Sequence, residues 1–322
     1  MPQMSRYPFQ PIDSSAIHTR PAAERITKVS AAGFAGVYQK GSGVAGLIDT
    51  LPEILAGSSF RKVVEAMQSA KARSRVVIWG LGAHVIKCGL SPVLIDLMQR
   101  GYVNAIAMNG AGAIHDLEIG MTGATSEDVE KELESGQFGM AEETPLWMNE
   151  AIQNGNLKNL GMGESLGRYV LEQPDHFPHR AISLLANAYE LHIPVTIHVA
   201  IGTDTIHNHP STDGAALGKT SLQDFRLFTA IVRNLDEGGV YLNCGSAVIL
   251  PEVFLKAVSL VRNLGHPLGN ITTVNLDFVQ QYRPHQNVLR RPTSQSGQGI
   301  SLTGHHEILL PLLAAALIES ET

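Results

Sequence analysis

This sequence of 322 residues has two cysteines, Cys88 and Cys244, too few for a disulfide framework or for a zinc site built on cysteine pairs. Each ends an apolar run, which reads as a small buried hydrophobe. Long apolar runs are missing as well. A spanning helix needs about 18 unbroken apolar residues, and the best candidate, EILLPLLAAALIE at 307–319, carries a proline and acidic ends, as a buried C-terminal helix would. The opening MPQMSRYPFQPID has no apolar signal core, so no secretory leader is expected and a cytoplasmic location is the default. Clustered positive charge is scarce. With 24 Lys and Arg against 30 Asp and Glu, the net charge of −6 gives no general attraction to nucleic acid or to an anionic membrane. The basic residues between 283 and 291 read as a solvated loop. Internal repeats and low-complexity linkers are not seen.

What is present is 44% hydrophobic residues and 17% charged, with a mean hydropathy of +0.03, the balance of a soluble globular chain. Five apolar, Val- and Ile-rich runs end in small or polar residues, at 75–82, 103–112, 193–204, 239–247 and 271–277. Continuous apolar runs are expected of strands covered on both faces. Helical patterns fill the gaps. Ser91-Pro92 opens one that stops at Gly101, residues 125–128 and 221–224 each fit a capping box, and residues 179–192 read as a helix running directly into the third strand. The alternation predicts an α/β fold, a doubly wound and mainly parallel sheet flanked by helices, as one Rossmann-like domain over 61–322 behind an N-terminal helical extension at 1–60. Ligands in such folds bind beyond the carboxyl ends of the strands.

Glycine, histidine and aspartate gather at those ends. The full G-x-G-x-x-G match, Gly41 to Gly46 in GSGVAG, follows no strand-like run, so it lacks the context a phosphate loop needs. Gly80-Leu81-Gly82 and Gly110-Ala111-Gly112 do follow strands and could bring backbone N–H groups to a pyrophosphate or a ribose. His115, Asp116 and Glu118 come next, a proton-transferring imidazole with carboxylates beside it, for which helix capping by Asp116 is the plain alternative. His84 and Lys87 follow the first run; Lys87 could hold a phosphate or be a solvated first-turn lysine. His198, Asp204, His207 and His209 lie within twelve residues and offer three readings: a zinc-like divalent metal site, substrate contacts by Asp204 or His207, or a hydrogen-bonded loop. His305-His306 are expected to cap and pack the last helix. Neither a strand-borne G-x-S-x-G elbow nor a P-loop is read, which argues against the serine hydrolase and kinase-type readings.

The order of these motifs over residues 75–320 resembles the deoxyhypusine synthase superfamily, a Rossmann-like fold that binds NAD without the usual glycine fingerprint. Residues 82–89 look like that family's Thr-Ser-Asn-x-x-Ser-x-Gly segment, residues 108–116 like its Thr-Thr-Ala-Gly-Gly-x-Glu-Glu-Asp segment, and HIPVTIHVAIGTD like its run toward Thr-Asp-Gly. Where the family carries a catalytic lysine in Gly-Gly-Gly-x-x-Lys-His-His, this chain reads Gly245-Ser246-Ala247-Val248-Ile249-Leu250, and Lys256 lies six residues beyond. Leu250 cannot form an imine, so the resemblance does not extend to deoxyhypusine synthesis. GYVNAIAMNGAGAIHDLE is also similar to a block of the LOR/SDH ornithine cyclodeaminase-like branch, which ends in His-Asp-x-Glu.

The resemblance implies an NAD-binding enzyme acting on a small, amine-bearing substrate. It implies that Gly82, Ala83, His84, Asn109, Gly110, Gly112, Asp204 and Asn275 meet the cofactor, that His115 is the base, and that Asp116, Glu118 and His207 assist it. It also implies a homo-oligomer, dimer or tetramer. The readings left beside it are a metal-dependent hydrolase at the 198–209 cluster and a nucleotide-binding protein without catalysis.

Overall fold

The computed structural model describes residues 6–321. Ahead of the sheet come α1 (Gly43–Thr50) and α2 (Leu55–Ala72). Helix α2 has no side-chain cap at Ile54 but buries Phe60, Val63, Val64 and Met67. At about 2 kcal/mol per buried side chain, packing outweighs the roughly 1 kcal/mol a cap would add. Residues 6–42 hold two single 3-10 turns, Ala22–Glu24 and Ala31–Gly33, so the helical part of the N-terminal extension is α1 and the start of α2, which continues past residue 60. Gly43 opens α1, and among the described residues no strand precedes it.

Six parallel strands form one sheet, β1 (Val77–Leu81), β2 (Ala105–Asn109), β3 (Val195–His198), β4 (Val240–Cys244), β5 (Thr272–Asp277) and β6 (Gln298–Thr303), in the order β3-β2-β1-β4-β5-β6. Helices α3 (Ala83–Lys87) and α4 (Ser91–Gln99) join β1 to β2. The long connection from β2 to β3 holds α5 (Gly110–Thr122), α6 (Val129–Ser135), α7 (Glu143–Lys158), α8 (Met162–Glu172) and α9 (Leu184–Glu190). Then α10 (Gly214–Val232) leads to β4, α11 (Ile249–Asn263) to β5, and α12 (Tyr282–Pro284), continued by a π-helical turn at His285–Arg290, to β6; α13 (His306–Glu319) ends the fold.

The sheet is wound on both faces, as the continuous apolar runs predict. Along β1, Val77, Trp79 and Leu81 enter the core shared with α2, α4, α5, α9 and α13, while Ile78 faces the core shared with α10 and α11. On the second face the rings of Tyr241 and Phe254 stack at 3.8 Å. The polar edge of Trp79 is satisfied by the Tyr102 carbonyl at 3.0 Å. None of the helices is both long and apolar enough to cross a membrane among the described residues.

Several local expectations are corrected. Ser221 and Asp224 lie inside α10, whose N-cap is Asp213, and Asp224 is a buried acceptor for the N–H groups of Gly163 and Ile197. No capping box forms at 125–128, because α6 begins at Val129 with Asp128 as its cap. The helix expected over 179–192 is broken at Ser183, which ends a 3-10 turn and caps α9. The basic segment 283–291 is helical rather than a loop, with Arg283 paired to Glu252 at 3.1 Å. β6 was not anticipated, since only Ile300 and Leu302 of it are buried and the run alternates as an edge strand does.

Candidate active site

The stretch from β2 into α5 builds the site. Asn109 ends the strand and caps the helix, its side-chain oxygen accepting the Gly112 N–H at 2.9 Å. Helical spacing then places Ala111, Ile114, His115 and Glu118 on one face, where they line a cavity of about 220 Å³ with Lys87, Ser126, Glu127, Val129, Phe138, Thr203, Asp204 and Thr205. It opens beyond the carboxyl ends of the strands, where the fold leaves room for ligands.

Behind the cavity wall, Thr125 links His115 to Glu118. The Thr125 hydroxyl donates a short hydrogen bond to Glu118 Oε2, and His115 Nδ1 lies 2.6 Å from the same hydroxyl. With that hydroxyl proton directed at Glu118, the imidazole must donate from Nδ1, which leaves the Nε2 lone pair as the free acceptor. Burial works against ionisation of Glu118, but the hydrogen bonds from His115 and Thr125 outweigh it and hold the carboxyl below its ordinary value.

Asp204 forms the opposite wall. It precedes the 3-10 turn Thr205–Asn208, and the side chain of His207 folds back so that Nδ1 accepts the N–H groups of Gly202 and Asp204. That fixes the remaining proton of a neutral His207 on Nε2, 3.9 Å from Asp204 Oδ2. Neither atom has a hydrogen-bond partner, although both are buried. Burial pushes the Asp204 carboxyl up, partly offset by His207. Gly110 is glycine because of this wall, since a Cβ there would lie 2.0 Å from Asp204 Oδ2.

Other candidates are placed elsewhere. Asp116, expected to orient His115, points to the opposite side of α5 and accepts from Ser183 Oγ at 2.6 Å and from the N–H groups of Leu184 and Leu185, tying α5 to the start of α9. Burial raises its carboxyl to about 6 against those bonds. Gly82 is pressed against β4, where its N–H donates to the Cys244 carbonyl at 2.7 Å. Its neighbour His84 packs by Phe278 and His306. Asn275 is fully buried, accepting from Asn243 and donating to Gln280. The four residues of the 198–209 cluster do not converge: His198 sits under the sheet against Phe228 and Thr196, burial lowering its imidazole to about 4, while His209 turns to Ser211. Leu250 is buried in the second core and Lys256 pairs with Glu252 at the surface, so neither brings an amine to the cavity, whose lining lysine is Lys87. Cys244 is buried as expected; Cys88 is only half-buried and lies 3.7 Å from Glu307.

Of the residues singled out in the sequence, His115, Glu118 and Asp204 line this cavity, while Thr125 and Phe138 were not singled out. The signal for Thr125 was available: Gly123 is the left-handed stop of α5, and a chain that reverses there returns its next residues to the helix face it has just left.

The strand order and the helices on both faces define a doubly wound, Rossmann-like α/β protein whose crossover direction switches between β1 and β4. No family model and no curated protein matches the chain. Among solved structures, it is similar to a conserved protein of Methanococcus maripaludis S2 assigned to the LOR/SDH type, with a TM-score of 0.52 and 17% identity over 83% of this chain and 71% of that one. It is also similar to ArgZ, an arginine dihydrolase from the ornithine-ammonia cycle in cyanobacteria, with a TM-score of 0.50 and 16% identity over 83% of this chain. It spans only 34% of ArgZ. A protein of Entamoeba histolytica assigned as a deoxyhypusine synthase gives a TM-score of 0.49 at 10% identity, over 89% of this chain and 96% of that one. At such identities the likeness is one of fold, and it includes the LOR/SDH type that the block at 101–118 resembles in sequence.

Proposed function

We propose that the chain is an NAD-binding enzyme of this fold that acts on a small, amine-bearing substrate held in the His115 cavity. The observation that carries the reading is the Glu118–Thr125–His115 relay set opposite Asp204 across one small cavity. At about 220 Å³ the cavity is smaller than the roughly 300–1,000 Å³ of drug-sized sites, which suits a substrate of few heavy atoms.

The residues fit a nucleotide cofactor at the wall formed by Gly110 and Asp204. Asp204, which lines the cavity, can accept from a hydroxyl, and the first-turn N–H groups of α5 favour a negative group. Asn109, Gly110 and Asp204 would hold it. NAD, when bound, supplies the acceptor for a hydride from the amine-bearing carbon. The chain supplies the rest. His115 Nε2 takes the proton from the substrate ammonium, Thr125 and Glu118 keep Nδ1 donating and stabilise the resulting imidazolium, and Ile114, Val129 and Phe138 limit water.

Calorimetric titration of NAD, and of a panel of diamines and basic amino acids, tests this on the wild-type protein and on Glu118→Gln. Glu118 also lines the cavity, and loss of its charge-assisted bond to a bound ammonium, about 1.5–3 kcal/mol, lowers amine affinity by roughly 10- to 150-fold. No NAD binding at millimolar concentration would remove the cofactor, and unchanged amine affinity in the variant would remove the site. Assembly with a second copy belongs to the same reading. Phe9, Ile12, Ile26 and Val37 stand 80% or more exposed along the N-terminal arm, apolar surface that a second copy would cover. Light scattering on the eluted protein measures that assembly.

A further inference from the structure

Outside the His115 cavity, three metal-ligating side chains converge at the carboxyl end of β1. His84 on α3 and Cys88, the residue that ends it, lie four apart on one side, and Glu307 reaches them from the first turn of α13. One ligand atom from each, an imidazole nitrogen, the thiol sulfur and a carboxylate oxygen, lie within 4.8 Å of one another. Among the described residues this is the one such group. We propose that His84, Cys88 and Glu307 bind one divalent transition-metal ion of the zinc class, with a fourth position open to water.

The dimensions agree with that assignment. Zinc bonds of about 2.3 Å to sulfur and 2.1 Å to oxygen, at a tetrahedral angle, put the two ligand atoms about 3.6 Å apart. Cys88 Sγ and Glu307 Oε2 stand 3.7 Å apart. The donor set is chemically apt, since thiolate and imidazole favour zinc-class ions over magnesium or calcium. Charge balances too. A thiolate and a carboxylate neutralise a dication, so the complex carries no net charge at a half-buried position, and the thiol proton leaves to solvent as the metal–sulfur bond forms. Behind the cluster, the ring of His306 is fully buried 5.7 Å from that of His84, and its Nδ1 has no partner. The site would clamp α3 to α13 beside the β1–β4 switch point. It shares no residue with the His115 cavity and does not rest on the NAD reading.

Cobalt titration of untagged, chelator-stripped protein tests the assignment, because a thiolate ligand gives cobalt an intense near-ultraviolet charge-transfer band that zinc should then abolish. The band is expected to saturate at one ion per chain, to vanish in Cys88→Ser, and to need at least tenfold more cobalt in His84→Ala and Glu307→Gln. Both of those side chains are exposed, so these two variants keep the test open if Cys88→Ser folds poorly. His209→Ala should retain the band in full. Wild-type protein without the band, a band unchanged in Cys88→Ser, or a band lost in His209→Ala would each overturn the proposal.

Discussion

Two glycines at strand ends predict opposite outcomes for the same mutation. A Cβ on Gly82 would stand 2.2 Å from the carbonyl oxygen of Gly245 and 2.5 Å from its carbon. Both are backbone atoms at the end of β4, held by the 2.7 Å bond from Gly82 N–H to Cys244, so neither can turn aside. Gly82 has φ −74, which any residue adopts, and the demand is therefore for space alone. Relieving the clash moves the strand ends apart by about 1 Å. That costs about 1–3 kcal/mol of overpacking, and about 1–3 more if the buried bond is lost. Gly82→Ala should thus lower stability by about 4 kcal/mol, or roughly 6 °C in Tm. Gly110→Ala makes a nominally worse contact, 2.0 Å, but with the carboxylate tip of Asp204, which can rotate away. Its stability should stay within about 1 kcal/mol of wild type, while ligand affinity at the cavity falls at least tenfold, because the rotated carboxylate leaves its wall. Urea unfolding followed by circular dichroism, with ligand titration on the same samples, separates the two. Equal destabilisation by both substitutions, or a Gly82→Ala variant within 1 kcal/mol of wild type, would refute the reasoning.

Other tests bear on the supporting structure. Burial raises Asp224 from 3.8 to about 7, so the folded state holds that proton more tightly than the unfolded state and stability should fall as pH rises from about 4 to about 7; Asp224→Asn should flatten this slope in urea midpoints taken across that range. Ser183→Ala removes both the cap of α9 and a donor to Asp116, and should cost about 2–3 kcal/mol in urea unfolding while ligand binding at the His115 cavity is unaltered, since Asp116 faces away from it. Trp79→Phe strips the Tyr102 carbonyl of its buried donor and should cost about 1–3 kcal/mol in the same measurement.

The central strands were readable because burial on both faces leaves an unbroken apolar run: every residue of β1, β4 and β5 is buried. β6 was not, because an edge strand with two inward residues resembles a loop. In the site, helical spacing alone separates His115 and Glu118 from Asp116, which lies about 100° around the helix from His115, so the adjacent His-Asp pair suggested a partnership that the geometry of α5 denies. Asp204 was legible as a polar residue at a strand end, but its contact with Gly110 depends on how the long β2–β3 connection folds. The same holds for Cys88. Nothing local to it signals Glu307, which arrives from the far end of the chain.

That arrival runs through β6. The strand is held by one ladder only, on β5, and its last residue, Thr303, is four positions before Glu307. An edge strand is the first part of a sheet to fray. Whatever loosens it also slackens the arm carrying His306 and Glu307 toward α3, so the grip between the two ends of the domain depends on an edge strand. A ligand that tightens that grip would quieten amide exchange along β6, none of whose residues it touches.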